Sequence, residues 1–417
     1  MNPTEPQTDS PYAAARLGVT LLLMTLGASG MYVVPVVLPE VQAEFGVSRA
    51  SASLPYSFLM IGFGVGGLVM GRLADRFGVM VPLLIGATSL GAGFVLAGNA
   101  TSITAFNAIH AVFIGFAGSS ATFSPLLADT SLWWVRRRGM AVAVCASGNY
   151  LGGALWPPIV QHFVESHGWR STYIGMGIAC GISLALLALC MRRRPPLVRP
   201  GASASSVAAA QARPFGFTQR TALALLMLAG LSCCVAMSMP QVHIVAYCAD
   251  LGYGPARGAQ MLSLMLGFGI VSRLVSGWIC DRIGGLRTLL LGSALQGVAL
   301  LLFLPFDGVV SLYVVSAMFG LFQGGIVPSY AIIVREHFPA QRAGAFVGAV
   351  IMCTLLGMAL GGWMSGQVFD LTGSYRAAFI NGIGWNLLNL SIAYFLLRRT
   401  QGNSPRGPGR REYSAAA

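Results

Sequence analysis

The sequence predicts an all-α membrane protein whose twelve transmembrane helices form two pseudo-symmetric six-helix bundles. Composition is the first observation: the 417 residues are 55% hydrophobic and only 9% charged, whereas a soluble domain carries about 25% charged residues. The second is length, because twelve helices of roughly 20 residues use about 240 residues and leave room for short loops. The third is an internal repeat. These observations exclude a soluble enzyme, a disulfide-stapled secreted module and a disordered chain.

Twelve apolar runs mark the predicted spans, in two sets of six. The first set lies at about 16–38, 53–71, 80–98, 103–127, 139–161 and 171–191. The second set lies at about 220–247, 258–279, 287–305, 309–334, 343–366 and 375–397. The stretch between the sets is rich in Arg, Pro, Ala and Ser, which is typical of a linker. We therefore predict an N-terminal bundle over 16–191, a cytoplasmic linker over 192–219, a C-terminal bundle over 220–397, and cytoplasmic tails over 1–15 and 398–417.

Arginine placement predicts the orientation. The net charge is +13, and all 26 basic residues are arginines. With the N-terminus inside, 21 of them are cytoplasmic and four are external, namely Arg49, Arg170, Arg257 and Arg376. The positive-inside rule favours this orientation, with both termini cytoplasmic. Arginine without lysine is typical of a GC-rich genome, so we expect a bacterial inner membrane. The arginines punctuate apolar segments instead of forming a soluble basic face, so nucleic acid is not an expected partner.

The two halves resemble each other at a constant spacing. The stretch GRLADRFG (71–78) recurs as GWICDRIG (277–284), 206 residues later. A spacing of 205 residues relates Gly139 to Gly344, Gly152 to Gly357 and Gly168 to Gly373. Two parallel repeats of six helices account for all of these matches.

The repeated stretch carries candidate gating residues, which we place at the cytoplasmic turns. They are Gly71, Asp75 and Arg76 in the first half and Gly277, Asp281 and Arg282 in the second. Glycine permits a tight turn and close helix approach. Asp75 and Arg76 are able to form charge-assisted bonds to neighbouring helix ends when the cytoplasmic side is closed. The alternative is a charged loop that only anchors the topology.

Further stretches give the chain a family resemblance. They are EFGVSRA (44–50), WWVRRRGMA (133–141), WPP (156–158), GWR (168–170) and GIVSRLVSG (269–277). Over nearly its whole length the chain resembles the major facilitator superfamily, and within it the monocarboxylate transporters and the related oxalate–formate exchangers. The resemblance implies a secondary transporter whose halves rock around a central substrate site.

Arg273 is the only charged residue that we place inside a span. Its counterpart in the first half is Gly67, so the fold does not need a charge there. A guanidinium at bilayer depth is costly unless it faces a wet cavity or a partner, and it binds a carboxylate through two parallel bonds. In the families resembled, an arginine in span eight binds the substrate carboxylate, and Arg273 matches that position. The alternative is an arginine that reaches toward the headgroups near Asp281, roughly 12 Å further along the helix.

Two positions depart from the relatives. Monocarboxylate carriers often have an aspartate one turn before this arginine, where this chain has Gly269. The oxalate exchangers have a lysine in span eleven, where this chain offers Cys353 and Thr354. A single cation suits a monoanion better than a dianion, so the predicted substrate is a small organic monocarboxylate. The missing aspartate leaves the usual proton site open to question.

Polar residues in spans one, five, seven and ten are further candidates for substrate binding. They are Tyr32, Asn149, Tyr150, His243, Gln323 and Tyr330. Their alternative role is to hydrogen-bond neighbouring helices. His243 is also the candidate proton site, because imidazole titrates near neutral pH; the alternative is a neutral histidine bonded to a helix backbone. Asp129 is expected to pair with Arg136–Arg138 as a structural clamp.

The predicted function is therefore secondary active transport of a small organic monocarboxylate by alternating access, with protons as the candidate coupling ion. The alternatives are an exporter of an unrelated drug or metabolite and a membrane receptor that does not transport. We expect no enzyme, because the sequence offers no nucleophile–base or metal constellation, and no cofactor or metal. The eight cysteines show no CxxC spacing and are expected to act as small hydrophobes. Expected partners are the carboxylate, protons and the lipid bilayer, with the chain acting as a monomer.

Overall fold

The structure, a computed structural model, describes residues 8–194 and 214–402, and its regular elements there are helices. Eleven helical segments are long and apolar enough to cross a membrane. A twelfth segment, Arg138–His167, is 30 residues long and occupies the place of predicted span five. Residues 195–213 of the predicted linker, 1–7 of the predicted N-terminal tail and 403–417 of the predicted C-terminal tail lie outside the described residues.

The N-terminal half contains eight described α-helices. They are α1 (Pro11–Gly27), α2 (Ser29–Phe45), α3 (Arg49–Phe77), α4 (Met80–Gly98), α5 (Ile103–Ile109), α6 (Ser124–Trp133), α7 (Arg138–His167) and α8 (Trp169–Leu189). A π-helix over His110–Gly118 and a 3₁₀ turn over Ser119–Thr122 join α5 to α6. Span one therefore consists of α1 and α2. Span four consists of α5, the π-helix, the 3₁₀ turn and α6.

The C-terminal half contains seven described α-helices. They are α9 (Gln219–Asp250), α10 (Pro255–Ile283), α11 (Gly285–Leu302), α12 (Val309–Gln323), α13 (Ile326–His337), α14 (Ala340–Thr372) and α15 (Tyr375–Gly402). Helices α12 and α13 together form span ten. Several helices are longer than the apolar runs that predict them, because they continue into the polar boundary until a glycine or a loop ends them.

The repeated stretch is helical where the sequence predicts a turn. Residues Gly71–Phe77 form the last two turns of α3, and only Gly78 leaves the helix, with a φ of 86°. The equivalent Gly284 ends α10 with a φ of 82°. Glycine adopts such a left-handed conformation without the steric penalty of a Cβ. The expectation that Gly71 and Gly277 shape a turn is therefore corrected: the last glycine of each repeat does so.

Glycines at equivalent positions also make equivalent helix contacts in the two halves. A Cβ at Gly152 of α7 would lie 2.6 Å from the Cβ of Ala28, at the break between α1 and α2. A Cβ at Gly357 of α14 would lie 3.0 Å from the Cβ of Cys234 in α9. The repeat thus preserves close packing of span five on span one and of span eleven on span seven.

The two halves meet mainly along two helix pairs, α3 with α14 and α7 with α10, and α2 also contacts α9. Ser57 Oγ donates a hydrogen bond to the carbonyl oxygen of Ala359 at 2.6 Å, and Ser263 Oγ donates one to the carbonyl oxygen of Ala154. Near the start of α3, a Cβ at Gly366 would lie 2.8 Å from the Cα of Ala50. The halves are therefore in close contact at this end, which we call the Arg49 side.

The opposite ends of the same helices stand apart. A Cβ at four glycines there would meet nothing within 4 Å, namely Gly71, Gly139, Gly277 and Gly344. Arg72, Arg76 and Arg282 are exposed at these ends, and we call this end the arginine-rich side. The space between the halves consequently opens toward it.

A buried ion pair holds the arginine-rich side of the N-terminal half together. Arg16 of α1 donates to both carboxylate oxygens of Asp129 in α6, from Nε at 3.0 Å and from Nη2 at 3.1 Å. Both side chains are at least 94% buried. Arg16, and not the predicted Arg136–Arg138, is thus the partner of Asp129, because the start of α1 packs against α6.

Candidate functional site

A cavity of about 280 Å³ lies between the two halves. Helices of both halves contribute to its wall: α2, α3, α6 and α7 from the first, and α9, α10, α13 and α14 from the second. The wall continues through Gly67, Leu68 and Gly348 toward the arginine-rich side. Such a central cavity, closed at one end, is where a substrate would bind in a transporter built of two repeats.

Arg273 projects from α10 into the cavity wall. Its Nη1 donates to the carbonyl oxygen of Ala146 in α7 at 3.0 Å, and its Nε donates to that of Gly324 at 3.5 Å. The guanidinium carbon lies 4.4 Å from the ring centroid of Tyr150. All three partners are uncharged, so the positive charge of Arg273 is not neutralised.

No carboxylate pairs with Arg273 within the described residues. The ion pairs found there are Arg16–Asp129, Arg49–Asp250, Arg170–Glu44 and the longer His337–Glu336. Arg273 also does not extend along the helix toward Asp281, since its hydrogen bonds go to α7 and to the α12–α13 junction. The arrangement disfavours a headgroup-seeking arginine and leaves a cation facing the cavity.

Tyr150 occupies the space that a side chain at Gly269 would need. A Cβ at Gly269 would collide with the ring carbons of Tyr150. The absence of a side chain there lets the ring pack against α10 one turn before Arg273 and lie under its guanidinium. Arg273 thereby gains a cation–π contact with Tyr150.

Two more predicted residues join this polar end of the cavity. Tyr32 Oη donates to Asn149 Oδ1 at 3.0 Å, and both residues line the wall. Tyr32 of α2, Asn149 and Tyr150 of α7 and Arg273 of α10 thus surround one end of the cavity. Gln241 of α9 also lines the cavity, although it was not among the predicted binding residues.

Three predicted binding residues lie behind the wall instead of in it. Gln323 is fully buried and accepts a hydrogen bond from Gln241 Nε2 at 2.9 Å. Tyr330 donates to Asn389 Oδ1 at 2.8 Å, inside the C-terminal half. His243 is fully buried toward the Arg49 side. In this conformation these side chains serve helix packing, because the faces of α12, α13 and α9 that carry them turn away from the cavity.

The Arg49 side is closed by a set of contacts that the sequence does not predict. The Asp370 carboxylate of α14 accepts the backbone N–H groups of Arg49 at 2.9 Å and Ala50 at 2.8 Å. The Arg49 guanidinium donates to Asp250 Oδ1 at 3.1 Å and to Tyr375 Oη at 2.8 Å. We call Arg49, Asp250, Asp370 and Tyr375 the Arg49 latch. It joins the N-terminus of α3 to three helices of the other half.

His243 lies directly beneath the latch. Its Nε2 is 2.7 Å from the carbonyl oxygen of Gly362, and its Nδ1 is 3.2 Å from Tyr375 Oη. Because a carbonyl only accepts, we assign the hydrogen to Nε2, which leaves Nδ1 as the acceptor for the Tyr375 hydroxyl. Arg49, Tyr375 and His243 therefore form one continuous hydrogen-bonded chain with a neutral imidazole.

The predicted gating residues are solvent-facing at the arginine-rich side. Asp75, Arg76, Asp281 and Arg282 are exposed. Arg76 stacks on Phe77 and Arg282 on Trp278, at 5.2 and 3.6 Å from the ring centroids. Within the described chain, neither aspartate forms an ion pair. The arginine-rich side is open in this structure, so these residues do not form the contacts that we expect of them when this side is closed.

Comparisons with known proteins identify the family of this chain. A family model of the Major Facilitator Superfamily matches residues 20–310 and 270–416. Monocarboxylate transporter 13 of Bos taurus is 29% identical over 323 residues, covering 76% of this chain and 73% of its own length. The uncharacterised MFS-type transporter YcxA of Bacillus subtilis is 26% identical over 348 residues, covering 81% and 83%.

Solved structures share the fold at low sequence identity. A bacterial homologue of the lysosomal transporter Spinster has a TM-score of 0.67 and 13% identity, covering 94% of this chain and 96% of its own. The nucleoside transporter NupG has a TM-score of 0.71 and 15% identity, covering 93% and 99%. The predicted all-α fold and the predicted family resemblance are confirmed. The chain belongs to the Major Facilitator Superfamily and is a multi-pass integral membrane transporter.

Proposed function

We propose that this transporter moves a small organic monocarboxylate across the membrane by alternating access. The observation that carries the proposal is Arg273, a guanidinium in the cavity wall whose partners among the described residues are two carbonyl groups and an aromatic ring. A charge at membrane depth is stabilised by a counterion, and a substrate carboxylate supplies one in bidentate geometry. The name of the bovine relative, monocarboxylate transporter 13, supports the same substrate class.

The transport cycle alternates between two closures. We place the protein in a bacterial inner membrane with both termini in the cytoplasm, so that the arginine-rich side faces inward. In this orientation the present conformation is open to the inside and closed to the outside by the Arg49 latch. Rocking of the halves would break the latch and bring Asp75, Arg76 and their repeats Asp281 and Arg282 into contact. Substrate bound at Arg273 would then face the other side of the membrane.

The rival functions make different demands on the cavity. An exporter of cationic compounds needs an acidic side chain there, and the wall described above contains Arg273 as its charged member. A receptor needs no cycle between two closures. Monocarboxylate transport uses both the cation and the two gates.

Counterflow in proteoliposomes tests the proposal. Vesicles loaded with one unlabelled monocarboxylate are expected to accumulate a labelled one, and the corresponding amides and dicarboxylates are expected to compete poorly. Equal competition by amide and acid would contradict a role for the carboxylate. Absence of exchange for every carboxylate, by protein that is folded and inserted, would favour the receptor.

We infer further that protons are the coupling ion and that His243 carries them. In the closed latch the imidazole is neutral, because Tyr375 needs Nδ1 as its acceptor. Opening the latch would separate Arg49 from Tyr375, expose this hydrogen-bonded chain to the outside and free Nδ1 to take up a proton. Closing the latch would then require the imidazole to release this proton, because Tyr375 again takes Nδ1 as its acceptor.

His243→Gln is the matching prediction. The glutamine amide is able to donate to Gly362 and accept from Tyr375, but it carries no proton charge. We therefore expect accumulation driven by an acidic exterior to disappear while carboxylate exchange persists. His162→Gln, at an exposed residue, should behave like wild type. Acid-driven accumulation that survives in His243→Gln would exclude this histidine as the carrier.

Asp75→Asn tests the predicted cytoplasmic gate. Asp75 is exposed and unpaired in the described structure, so its substitution should leave the present conformation intact and weaken only the state in which the arginine-rich side is closed. We expect slower labelling of the cavity thiol Cys234 by a membrane-impermeant reagent added from the Arg49 side. An unchanged labelling rate would count against gating by this motif.

A further inference from the structure

The cavity is divided into a polar end and an apolar end. The polar end comprises Tyr32, Asn149, Tyr150 and Arg273, on the side where α7 packs against α10. On the opposite side, where α3 packs against α14, the wall is almost entirely hydrocarbon, thioether and glycine. Thr354 is the one hydroxyl among the lining residues of these two helices. A substrate held by its carboxylate at Arg273 therefore extends its remaining atoms along an apolar surface.

Methionine is the most frequent residue type in the cavity wall. Five methionines from four helices line the cavity: Met31, Met60, Met237, Met352 and Met358. Thioether side chains are flexible and polarisable, and they make favourable contacts with the edges of aromatic rings. Met352 of α14 reaches across to α3, where a Cβ at Gly64 would lie 2.7 Å from its sulfur. The methionines thus come from both halves and can adapt to a bulky group between them.

Aromatic rings complete this end. Phe63 of α3 and Phe123 of span four both line the cavity, with ring centroids 5.5 Å apart and an interplanar angle of 54°. Tilted ring pairs of this kind accept a third ring edge-on or offset. Ser124 and Thr354 supply the hydroxyls on this side, and the other lining residues of α3, α14 and span four have no polar side chain. A second carboxylate placed here would lose its water and find few hydrogen-bond partners in exchange.

The volume of the cavity fits a ring better than a short acid. An apolar cavity of about 150 Å³ holds a benzene ring. The 280 Å³ available here accommodates a ring together with a short chain that ends in a carboxylate. A two- or three-carbon acid at Arg273 would leave the methionine wall unfilled.

We propose that the preferred substrate is an aromatic or similarly bulky apolar monocarboxylate, such as an arylalkanoate, and not a two- or three-carbon hydroxy or keto acid. This inference rests on the proposed function, because it requires the carboxylate to bind at Arg273. The Met-rich wall, with Met237 facing the cavity from α9, selects the body of the substrate, and Arg273 selects its charge.

Matched ligands test this inference separately from the proposed function. Purified transporter is titrated with 3-phenylpropanoate, propanoate, lactate and the neutral 3-phenylpropanamide. We expect 3-phenylpropanoate to bind at least about tenfold more tightly than propanoate or lactate, as burial of a ring allows. Propanoate or lactate binding as tightly as 3-phenylpropanoate, with the amide not binding, would overturn the inference and leave monocarboxylate transport intact. Amide and acid binding equally would overturn both.

Variants of Met237 test whether the wall is the cause. Met237→Gln places an amide of similar size in the wall, and the preference for 3-phenylpropanoate over propanoate is expected to fall about fivefold or more. Met237→Leu, which stays apolar, should retain more of that preference. Met140→Gln makes the same chemical change at a residue that is 62% exposed and outside the cavity, and it should match wild type. A preference in Met237→Gln equal to that of wild type would refute selection by the wall.

Discussion

Arg273→Gln is expected to lower the affinity for monocarboxylates by about 30-fold to several thousandfold while the protein still folds and inserts. Truncating one partner of a desolvated charge pair costs about 2–5 kcal/mol, and each 1.4 kcal/mol is about a factor of ten. Folding should survive because Arg273 is bonded to neutral carbonyl groups and its repeat counterpart is glycine. Equilibrium binding of 3-phenylpropanoate to purified protein measures the loss.

Two further arginine variants serve as references for this experiment. Arg273→Lys keeps the charge but lacks the planar fork that pairs with both carboxylate oxygens, so its affinity should fall between wild type and Arg273→Gln. Arg257→Gln removes an exposed charge near the start of the same helix and should bind like wild type. Near-normal binding by Arg273→Gln would remove the basis for the proposed substrate class.

Asp370→Asn is expected to shift the protein toward the state that is open at the Arg49 side. The carboxylate accepts two backbone N–H groups at the N-terminus of α3, where a helix favours negative charge. The amide retains one acceptor oxygen and no charge, which costs about 1.5–3 kcal/mol. The equilibrium between the closed and open Arg49 side should therefore move by about 10- to 150-fold.

Labelling of Cys234 measures that shift. This thiol lines the cavity, so an impermeant reagent added from the Arg49 side reaches it only when the latch is open. The rate should rise in Asp370→Asn and vanish when Cys234→Ala is added. It should rise less in Asp250→Asn, because Asp250 accepts one hydrogen bond from Arg49 whereas Asp370 accepts two backbone N–H groups. Asp370→Asn labelling at the wild-type rate would show that the latch does not hold this side closed.

The spans, the repeat and Arg273 are predictable from the sequence because their signals are local. Three features can be recognised without knowledge of packing: apolar runs of membrane length, the recurring GRLADRFG stretch and a lone arginine in an apolar helix. Tyr32, Asn149 and Tyr150 were also predicted as binding residues, and they line the cavity beside Arg273. Each of these residues lies in a span that meets the other half of the molecule.

The latch and the methionine wall depend on contacts that cannot be predicted from a single sequence. Arg49 and Asp250 are 201 residues apart, and Arg49 and Asp370 are 321 apart. Their pairing exists only once the two halves are docked. Arg16 and Asp129, 113 residues apart, pair within the N-terminal half, once α1 packs against α6. In the sequence, a methionine that faces the cavity cannot be distinguished from one that faces lipid. Likewise, only the rotation of its helix places Gln241 in the cavity wall, while Gln323 lies behind it.

A substrate-bound structure with a brominated 3-phenylpropanoate tests directly whether Arg273 binds the substrate carboxylate. We expect the carboxylate oxygens about 2.7–2.9 Å from the guanidinium nitrogens of Arg273 and the bromine among Met60, Met237 and Met352. A carboxylate bound elsewhere, with Arg273 still bonded only to the carbonyls of Ala146 and Gly324, would contradict this expectation.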